Sequence, residues 1–561
     1  MSMFNPKRPS SHVSQHKFSQ IEGPRLQRSS FDRSRGHKTT INADMLYPLY
    51  AREILPGDTV SFKPTFFSRF ATLQVPFVDN LYFDWFVFFV PNRIVWDNWK
   101  KFMGEQRDPD DSIDFLTPII NAPAVTGWGD LSIYDYMGMP IKKVVSTGPL
   151  VVAPITNTWT VAFKYRAYNM IWNEWFRDEN LQDSAPSNYG NGPDAATDYV
   201  LLPRGKKKDY FTSSLPWPQK GPSVSLPLQG NAPVTGLHMV SRASVDGATT
   251  GIDSTNTSTA YGASYWGWGS SYLAIEAVND TGGYRPNLNA DMSSVISASI
   301  NDIRQAVTIQ QFYERAARSG TRWPEILLGH FGVTPPDSTL QRPELLGLGS
   351  SPIMITPIAQ TSTSTDSDSP LANLAAIGVL NEHGHQISKS FTEHGIIMCI
   401  GCIRADLTYQ QGQHREDTRR GRFDYYWPEF SHLGEQAVLN REIYQQGENV
   451  INGTTGVAYD LEAWGYQERN ADYLYDQTVI TGALRSLYSN NTTTPVSLDV
   501  WHLSQLFTTL PQLGNTFVQY DTPIERVVAV TNEPQFIVDC WFETRWARVM
   551  PLYATPGLDY F

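Results

Sequence analysis

Cationic side chains crowd the first forty residues of this chain, and their chemistry suits them to binding phosphate groups. The segment holds eight Lys or Arg and two acids, a net charge of +6, whereas the whole 561-residue chain carries −12. The remaining body is therefore strongly acidic, and this asymmetry favours a polyanion such as nucleic acid as a partner of the basic end. The cations are Lys7, Arg8, Lys17, Arg25, Arg28, Arg33, Arg35 and Lys38.

Two other interpretations of this segment are a solvated tail and an organelle transit peptide. Pro6, Pro9 and Pro24 interrupt any helix. No apolar stripe with a 3.6-residue period runs through residues 10–38, so the amphipathic helix of a transit peptide is not predicted. We interpret residues 1–40 as a basic arm that is disordered until it binds.

The cysteines could bind a metal or do redox chemistry. The chain has three, Cys399, Cys402 and Cys540, too few for a disulfide framework, which indicates a reducing compartment. The Cys399-x-x-Cys402 pair lies in an apolar, strand-like run. Residues three apart on a strand point to opposite faces, so we expect buried core thiols and no zinc site.

Other candidate metal sites and catalytic motifs are weak. Glu382, His383, His385, Glu393 and His394 form a loose cluster that is more typical of a solvated loop than of a metal site. The Asp366-x-Asp368 start of a calcium loop lacks the bidentate Glu at its twelfth position. Phosphate-loop, nucleophile-elbow, zinc-protease and dinucleotide-binding motifs are all missing. We predict a structural protein with no catalytic site, no cofactor and no metal.

Strands dominate the elements that must position these residues. Residues 59–72 alternate, with Val60, Phe62, Phe66 and Phe70 on one face, and Pro64 argues for a sheet edge. Residues 81–90 are apolar on both faces apart from Asp84, which indicates a strand covered on both sides. Near the C-terminus, residues 524–530 and 536–548 flank a short turn and are predicted to pair.

Two amphipathic helices and one long polar stretch interrupt the strands. The helices are predicted over residues 162–178 and 300–318. Residues 186–294 are rich in Gly, Ser, Thr, Asn and Pro without clear periodicity, which indicates an elaborated surface insertion. No apolar run is long enough to span a membrane, so no membrane insertion is expected.

Several blocks spread in order from residue 34 to the C-terminus carry a family resemblance. The blocks include Ser34-Arg-Gly-His-Lys-Thr-Thr40, Leu55-Pro-Gly-Asp58, Phe88-Phe-Val-Pro-Asn-Arg93, Ile171-Trp-Asn-Glu174, Leu340-Gln-Arg-Pro-Glu344, Arg404-Ala-Asp-Leu-Thr-Tyr-Gln-Gln-Gly412 and Gly465-Tyr-Gln-Glu-Arg469. Through these blocks the chain resembles the major capsid proteins of microviruses, and especially their gokushovirus-like branch.

The resemblance implies a mainly β fold, an eight-stranded antiparallel jelly roll of the viral capsid type with long loop and helical insertions. It implies assembly with copies of itself into a T=1 icosahedral shell around a circular single-stranded DNA genome, in the cytoplasm of a bacterial host. Further implied partners are a scaffolding protein, a small basic DNA-packaging protein, a minor pilot protein and the host bacterial surface.

The expected organisation has four parts. Residues 1–40 are the basic arm, 41–185 the first part of the jelly roll with inserted helices, 186–294 the surface insertion, and 295–561 the rest of the jelly roll. The resemblance implies that the insertion forms a protrusion at the three-fold axes and contributes to host attachment. Tyr265, Trp266 and Trp268 are candidates for its tip or for trimer contacts, with ordinary packing as the alternative.

Two questions stay open from the residues alone. The arm could contact DNA or order against neighbouring subunits. A carbohydrate-binding or carbohydrate-active β protein would also be rich in Trp and Tyr, although no pair of carboxylates with the context of a glycosidase stands out. Particle size separates these classes, because a shell gives one large uniform species.

Overall fold

The computed structural model describes residues 27–147, 150–224, 300–361, 373–489 and 497–553, together with the backbone of short strands between 234 and 290. The chain divides into two compact units. The larger comprises Met1–Pro218 and Thr321–Phe561, and the smaller comprises Gln219–Gly320. Within the described residues, no helix combines the length and apolar character needed to cross a membrane.

One antiparallel sheet organises the larger unit, and the described residues give it ten strands. The strands are β1 (Ser29–Asp32), β2 (Arg35–Ile41), β3 (Tyr47–Ile54), β4 (Thr59–Phe70), β5 (Leu81–Pro91), β17 (Glu344–Ala359), β18 (Leu374–His383), β19 (Ile387–Ser390), β20 (Gly395–Ala405) and β23 (Phe536–Arg548). Their order is β1-β23-β4-β18-β17-β5-β20-β3, with β2 also on β23 and β19 also on β4.

The sheet curls on itself because β17 belongs to both halves. Its first part, Glu344 to Ile353, pairs with β5, and its last part, Met354 to Ala359, pairs with β18. The end strands β2 and β3 then approach each other, and His37 Nδ1 donates to the Leu49 carbonyl oxygen at 2.8 Å. The mainly β, antiparallel class predicted from the sequence is confirmed, and the jelly-roll prediction agrees with this curled sheet.

Alternation of apolar residues explains how the halves pack. Val60, Phe62, Phe66 and Phe70 of β4 are buried, as predicted, and so is the matching face of β23, from Phe536 to Trp546. Strands β5 and β20 are buried on both faces. One face contributes to a core shared with β4 and β23, and the other to a second core built on helix α4 (Phe163–Ile171). Burying both faces explains their continuous apolar sequence.

Two predictions about strands were wrong. Pro64 does not lie on an edge strand, because β4 pairs with β23 on one side and with β18 and β19 on the other. Instead Pro64 lies at the break between β18 and β19, where Gly384 N–H donates to its carbonyl oxygen. Residues 524–530 form no strand beside β23: they begin with a 3₁₀ turn, Ile524–Arg526, and β23 pairs with β1, β2 and β4.

The remaining elements of the larger unit decorate this sheet. The strands form three pairs, β6 (Ile119–Asn121) with β9 (Trp159–Val161), β7 (Lys142–Thr147) with β8 (Leu150–Pro154), and β21 (Gln436–Leu439) with β22 (Ala463–Gln467). The helices are α1 (Asn92–Val95), α2 (Trp99–Phe102), α3 (Ile133–Tyr136), α4 with its π-helical extension Trp172–Phe176, α6 (Trp323–Phe331), α7 (Asp337–Leu340), α8 (Asn440–Ile443) and α9 (Asn515–Val518).

The smaller unit combines short strands with one long helix, α5 (Ile300–Ser319), which confirms the predicted helix there. Its strands are β10 (Val234–Thr235), β11 (Leu237–Ser241), β12 (Trp266–Trp268), β13 (Ser271–Ile275), β14 (Ala277–Asp280), β15 (Gly283–Pro286) and β16 (Asn289–Ala290). The insertion predicted at 186–294 overlaps this unit, but residues 186–218 belong to the larger one. Its role as a surface insertion stays a prediction.

Candidate nucleic-acid and assembly interface

The basic arm does not continue without structure up to residue 40. Strands β1 and β2 occupy Ser29 to Asp32 and Arg35 to Ile41, and both pair with β23. The expectation of disorder is therefore wrong for this part, because backbone pairing with β23 fixes it in the sheet. Lys7, Arg8, Lys17 and Arg25 lie outside the described residues, so their contacts with nucleic acid stay a prediction.

Two of the four described arm cations are held by the protein itself. The Arg28 guanidinium donates to the Gly57 carbonyl oxygen at 2.6 Å and to Thr59 Oγ1 at 2.9 Å. Lys38 pairs with Asp539 at 3.0 Å on the exposed face of the sheet. Exposed ion pairs of this kind contribute little to stability.

Arg33 and Arg35 instead lie over aromatic rings. The Arg33 guanidinium carbon is 4.6 Å from the centre of the Trp546 ring, and that of Arg35 is 4.9 Å from the Tyr50 ring. Burial lowers the pKa of both arginines, and neighbouring arginines lower it further. Since an arginine pKa starts above 12, both stay charged at neutral pH. Cation–π contact stabilises them in place of a carboxylate partner.

The structure therefore does not bring the four described arm cations together into one group. Lys38 is three residues from Arg35 on the same strand, so the two side chains emerge on opposite faces of the sheet. Arg35 pairs with Phe542, and paired residues point to the same face of a sheet. Because Phe542 is buried, Arg35 projects toward the interior of the curled sheet, as does Arg33 two residues before it, whereas Lys38 projects toward the outside. No local sequence pattern indicates which face is buried, because that depends on the partner strand.

The proposed tip residues fall partly outside the described part of the chain. Tyr265 is not described. Trp266 and Trp268 lie in β12, which pairs with β13 in the three-stranded sheet β11-β13-β12 of the smaller unit. Their assignment to a protrusion tip or a trimer contact stays a prediction.

An exposed apolar surface in the larger unit was not anticipated. We call it the aromatic patch, and it consists of Phe423, Tyr425, Tyr426, Trp427, Leu433, Tyr473, Leu474 and Tyr475, each 45–63% exposed. Its two chain segments touch, because the rings of Tyr426 and Tyr473 are 6.3 Å apart and Arg419 lies 4.0 Å over Tyr473. Grouped exposed aromatics mark interaction surfaces. The Phe423-Asp-Tyr-Tyr-Trp427 run was the available sequence signal.

A buried charged cluster inside the sheet was also missed. The Asp84 carboxylate on β5 accepts hydrogen bonds from Arg404 on β20, at 2.8 Å, and from Arg204 and Ser350. Burial alone would raise the Asp84 pKa, but Arg204, Ser350 and Arg404 outweigh it and hold that pKa below its usual value. The cluster fastens the 204 loop to the sheet and has the character of a structural ion network.

The cysteines behave as predicted for core thiols. Cys399 and Cys402 are fully buried, Cys399 in the core shared with β4 and Cys402 in the core against α4. Burial raises the pKa of Cys402 to about 12, so the thiol stays protonated and a poor metal ligand. The prediction that the pair points to opposite faces is confirmed.

The two glutamates of the loose cluster predicted at residues 382–394 contact different partners. Glu382 accepts from Trp85 Nε1 at 3.4 Å, and Glu393 pairs with Arg93 at 2.6 Å. Across the described residues, no group of three His, Cys, Asp or Glu side chains is placed to hold a metal ion. The Asp366-x-Asp368 segment lies outside the described residues.

Comparison with known proteins agrees with these features. The chain matches the family described as "Capsid protein (F protein)" over residues 19–558. It is 43% identical to the capsid protein VP1 of Bdellovibrio phage phiMH2K, covering 98% of both chains. It is 39% identical to capsid protein VP1 of Chlamydia phage 1, covering 97% of this chain and 98% of the relative, and 33% identical to capsid protein VP1 of Spiroplasma virus 4, covering 97% of each.

These matches run through the sheet, the helices and the polar stretch alike, so the likeness is not limited to one element. The relatives are structural proteins of a family not known for enzymatic activity, in agreement with the sequence interpretation. The chain belongs to the phage capsid F-protein family and is a major capsid protein of the gokushovirus-like microviruses.

Proposed function

We propose that copies of this capsid protein form a T=1 icosahedral shell that encloses circular single-stranded DNA. The observation that carries the proposal is the aromatic patch on a protein whose relatives are capsid proteins. Closed symmetric assemblies need apolar surfaces on every copy, and aromatic anchors dominate the binding energy of protein interfaces. We assign the aromatic patch to a contact between subunits.

The size of the aromatic patch suits this role. Aromatic side chains bury roughly 150–250 Å² each, and a specific interface buries about 1,200–2,000 Å² in total. Eight large side chains about half exposed supply much of one partner's share. Arg419 lies against Tyr473 and forms a buried ion pair with Asp472, so its charge is compensated beside the apolar surface.

The basic arm supports the enclosure of DNA. Residues 1–26 contain Lys7, Arg8, Lys17 and Arg25 and a single acid, Glu22. Phosphate contacts from such side chains are independent of base sequence and weaken as salt rises. With the arm on the inner surface of the shell, each copy would neutralise part of the genome charge.

The stretch 186–294 is proposed to contribute to host attachment. It contains the Tyr265-Trp-Gly-Trp268 aromatic segment and many small polar residues, a composition that suits a recognition surface. Residues 242–265 join β11 to β12, and replacing them with a short Gly-Ser linker offers a direct test. Particles should still form, whereas adsorption to host cells should fall. Loss of particles would show that this stretch serves assembly instead.

The remaining partners and the site of assembly complete the proposal. We infer that a scaffolding protein, a small basic DNA-packaging protein and a minor pilot protein act with this chain, and that shells form in the host bacterial cytoplasm before residing in the virion. The three cysteines of the chain are all free and buried, which is compatible with a reducing compartment.

Electron microscopy of the purified full-length chain, expressed with and without the predicted partner proteins, tests the shell. One large species of uniform diameter with icosahedral symmetry is expected, and nuclease-protected circular single-stranded DNA should copurify with virions. Small oligomers under every condition, or a symmetry other than T=1, would overturn the proposal.

A further inference from the structure

Four cations gather where the two ends of the curled sheet approach each other. We call them the cationic cluster: Arg33, Arg35, Arg52 and Lys164. Arg33 comes from the segment that joins β1 to β2, Arg35 from the start of β2, Arg52 from β3, and Lys164 from the first turn of α4. The contact between His37 and Leu49 brings β2 against β3 and so holds these elements together.

Contacts with two aromatic rings position two members of the cationic cluster, Arg33 and Arg35. Tyr50 and Arg52 are two residues apart on β3 and share a face, and Arg35 lies over the Tyr50 ring. Arg33 lies over the Trp546 ring, next to Arg548 on the same ring. Two of the four half-buried cations, Arg33 and Arg35, are thus held against buried rings rather than left free in solvent.

Carboxylates do not compensate this charge. None of the four cations forms an ion pair with any described residue. Of the acids that face them, Glu53 is exposed, and Asp58 is committed to Arg548 at 3.0 Å. Burial, followed by the charges of Arg52 and Arg35, lowers the pKa of Lys164. Like charges held together at a half-buried site favour an anion that is not part of this chain.

Buried hydrogen-bond donors without acceptors at the cationic cluster also favour a bound anion. Arg35 Nε is buried without an acceptor within the described structure, and so is Nε1 of Trp546, whose ring Arg33 covers. Buried donors normally have partners, because leaving one unpaired costs free energy. Lys164 also lies in the first turn of α4, a helix with no acidic residue there, where the helix dipole disfavours a cation. A bound anion would relieve each of these costs.

We propose that the cationic cluster binds phosphate groups of the single-stranded nucleic acid backbone, so that the folded body of the subunit adds its own contact to those of the basic arm. The inference rests on the proposed enclosure of single-stranded DNA. The cationic cluster follows the basic arm closely in sequence, because the arm cation Arg25 precedes Arg33 by only eight residues. This proximity favours nucleic acid over an acidic protein segment as the ligand. Guanidinium groups also match phosphate oxygens in a two-pronged geometry.

The cationic cluster should bind without base preference. The rings of Tyr50 and Trp546 are buried beneath the guanidinium groups, so they are not free to stack on bases. The contact is therefore expected to be electrostatic and to follow the salt dependence of phosphate binding.

The test combines Arg35→Gln, Arg52→Gln and Lys164→Gln in the full-length chain. Binding of a fluorescent oligo(dT) is measured by anisotropy over a series of salt concentrations. Each lost phosphate contact lowers the slope of log affinity against log salt by about 0.7, so the triple variant should lose about 2 from the slope. Oligo(dA) should give the same change.

The matched control removes three positive charges that already have carboxylate partners. Lys101→Gln, Lys142→Gln and Lys208→Gln break the pairs with Asp111, Asp130 and Asp178, respectively. This variant has the same net charge as the test variant and should keep the wild-type slope. Equal loss of slope in both would overturn the proposal, because binding would then depend on net charge alone.

A second variant guards against misfolding. Arg35→Lys with Arg52→Lys keeps the charge, and it should retain most of the salt slope while the glutamine variant does not. An unchanged slope in glutamine-variant particles that still form would overturn the cationic cluster but leave the shell intact. Loss of assembly with an unchanged slope would assign the cluster to an acidic segment of a neighbouring copy. Failure of the wild-type chain to form shells would instead refute the proposed function.

Discussion

Arg166 and Asp194 form a two-pronged ion pair in the interior of the larger unit. Arg166 Nε donates to Asp194 Oδ2 at 2.8 Å, and Nη2 donates to Oδ1 at 2.7 Å. Both side chains are buried, and the Tyr199 hydroxyl donates to the same carboxylate at 2.5 Å. Helix α4 is thereby fixed to the chain that follows residue 186, the predicted start of the surface insertion.

Breaking this pair should destabilise the subunit strongly. Arg166→Met leaves the Asp194 carboxylate buried without its counter-charge, a change that costs about 3–5 kcal/mol. Thermal unfolding of the unassembled subunit measures the effect as a lower Tm. Lys142→Met, which breaks the exposed pair with Asp130, is the control and should change stability by less than about 1 kcal/mol. Similar losses in both variants would contradict a special role for burial.

Asp44 should make stability depend on pH. Its carboxylate accepts from Thr522 N–H at 2.6 Å and from Thr522 Oγ1 at 2.9 Å, yet burial raises its pKa to about 6. Because this folded-state pKa exceeds the unfolded value near 3.8, the folded state binds the proton more tightly. The stabilising contribution of protonated Asp44 is complete below about pH 4 and is lost as pH rises through about 6.

The variant Asp44→Asn isolates this effect. Asn also accepts the positive φ of 70° at this position. Relative to the variant, the wild type should lose about 2 kcal/mol of unfolding free energy between pH 4 and pH 7, measured by urea denaturation at each pH. Asp183→Asn, which also removes one carboxylate but from an exposed position, serves as the control. A wild-type to Asn difference that is constant across pH would contradict the assignment to Asp44.

The strands that obey a local rule were predictable from sequence. Alternation in residues 59–72 identified the buried face of β4, and the apolar run at 81–90, interrupted only by Asp84, identified a strand buried on both sides. The opposite directions of the Cys399 and Cys402 side chains follow directly from their spacing of three residues on a strand. In each case the information is contained within a few consecutive residues.

What depends on partners distant in sequence was not predictable. Pro64 looks like an edge residue, but the break between β18 and β19 accommodates it more than 300 residues away. In the sequence, the segment 29–41 looks like part of a disordered arm. Its structure depends on backbone pairing with β23, which lies some 500 residues later, so no local pattern could reveal it. The cationic cluster has the same origin, since Arg35 and Arg52 meet only when the sheet curls.

Two truncations should distinguish the contribution of the arm's charge to DNA binding from the contribution of β1 and β2 to folding. Removing residues 1–26 takes away four cations and spares β1 and β2, so we expect a folded subunit whose salt slope for oligo(dT) falls by about 3. Removing residues 1–41 also uncovers one edge of β23 and should prevent soluble folding. Circular dichroism and anisotropy provide the measurements.

A full-length control keeps the chain length and changes only the charge. Lys7→Gln, Arg8→Gln, Lys17→Gln and Arg25→Gln together should reproduce the loss of salt slope seen with the shorter truncation. If this variant binds like the wild type, the arm contributes through contacts other than phosphate pairing, such as contacts with neighbouring subunits.

The cysteines should be unreactive in the native subunit. Cys399, Cys402 and Cys540 are buried, and burial raises the pKa of each thiol. Thiolate is the reactive form, so a maleimide probe should label none of them in native buffer and all three in denaturant, as counted by mass spectrometry. Labelling of Cys402 before unfolding would mean that the core against α4 opens.

The aromatic patch should control assembly without controlling folding. Tyr425→Ser with Leu474→Ser removes apolar surface from two residues that are 53% and 63% exposed, so the melting temperature of the subunit should hardly change. Truncating a central interface residue typically costs more than about 1 kcal/mol, and two per contact should lower particle yield by about tenfold or more. Tyr425→Phe with Leu474→Met keeps the apolar area and should assemble normally. Wild-type yields from the serine variant, scored by electron microscopy and sedimentation, would exclude the patch from subunit contacts and leave it available for another partner.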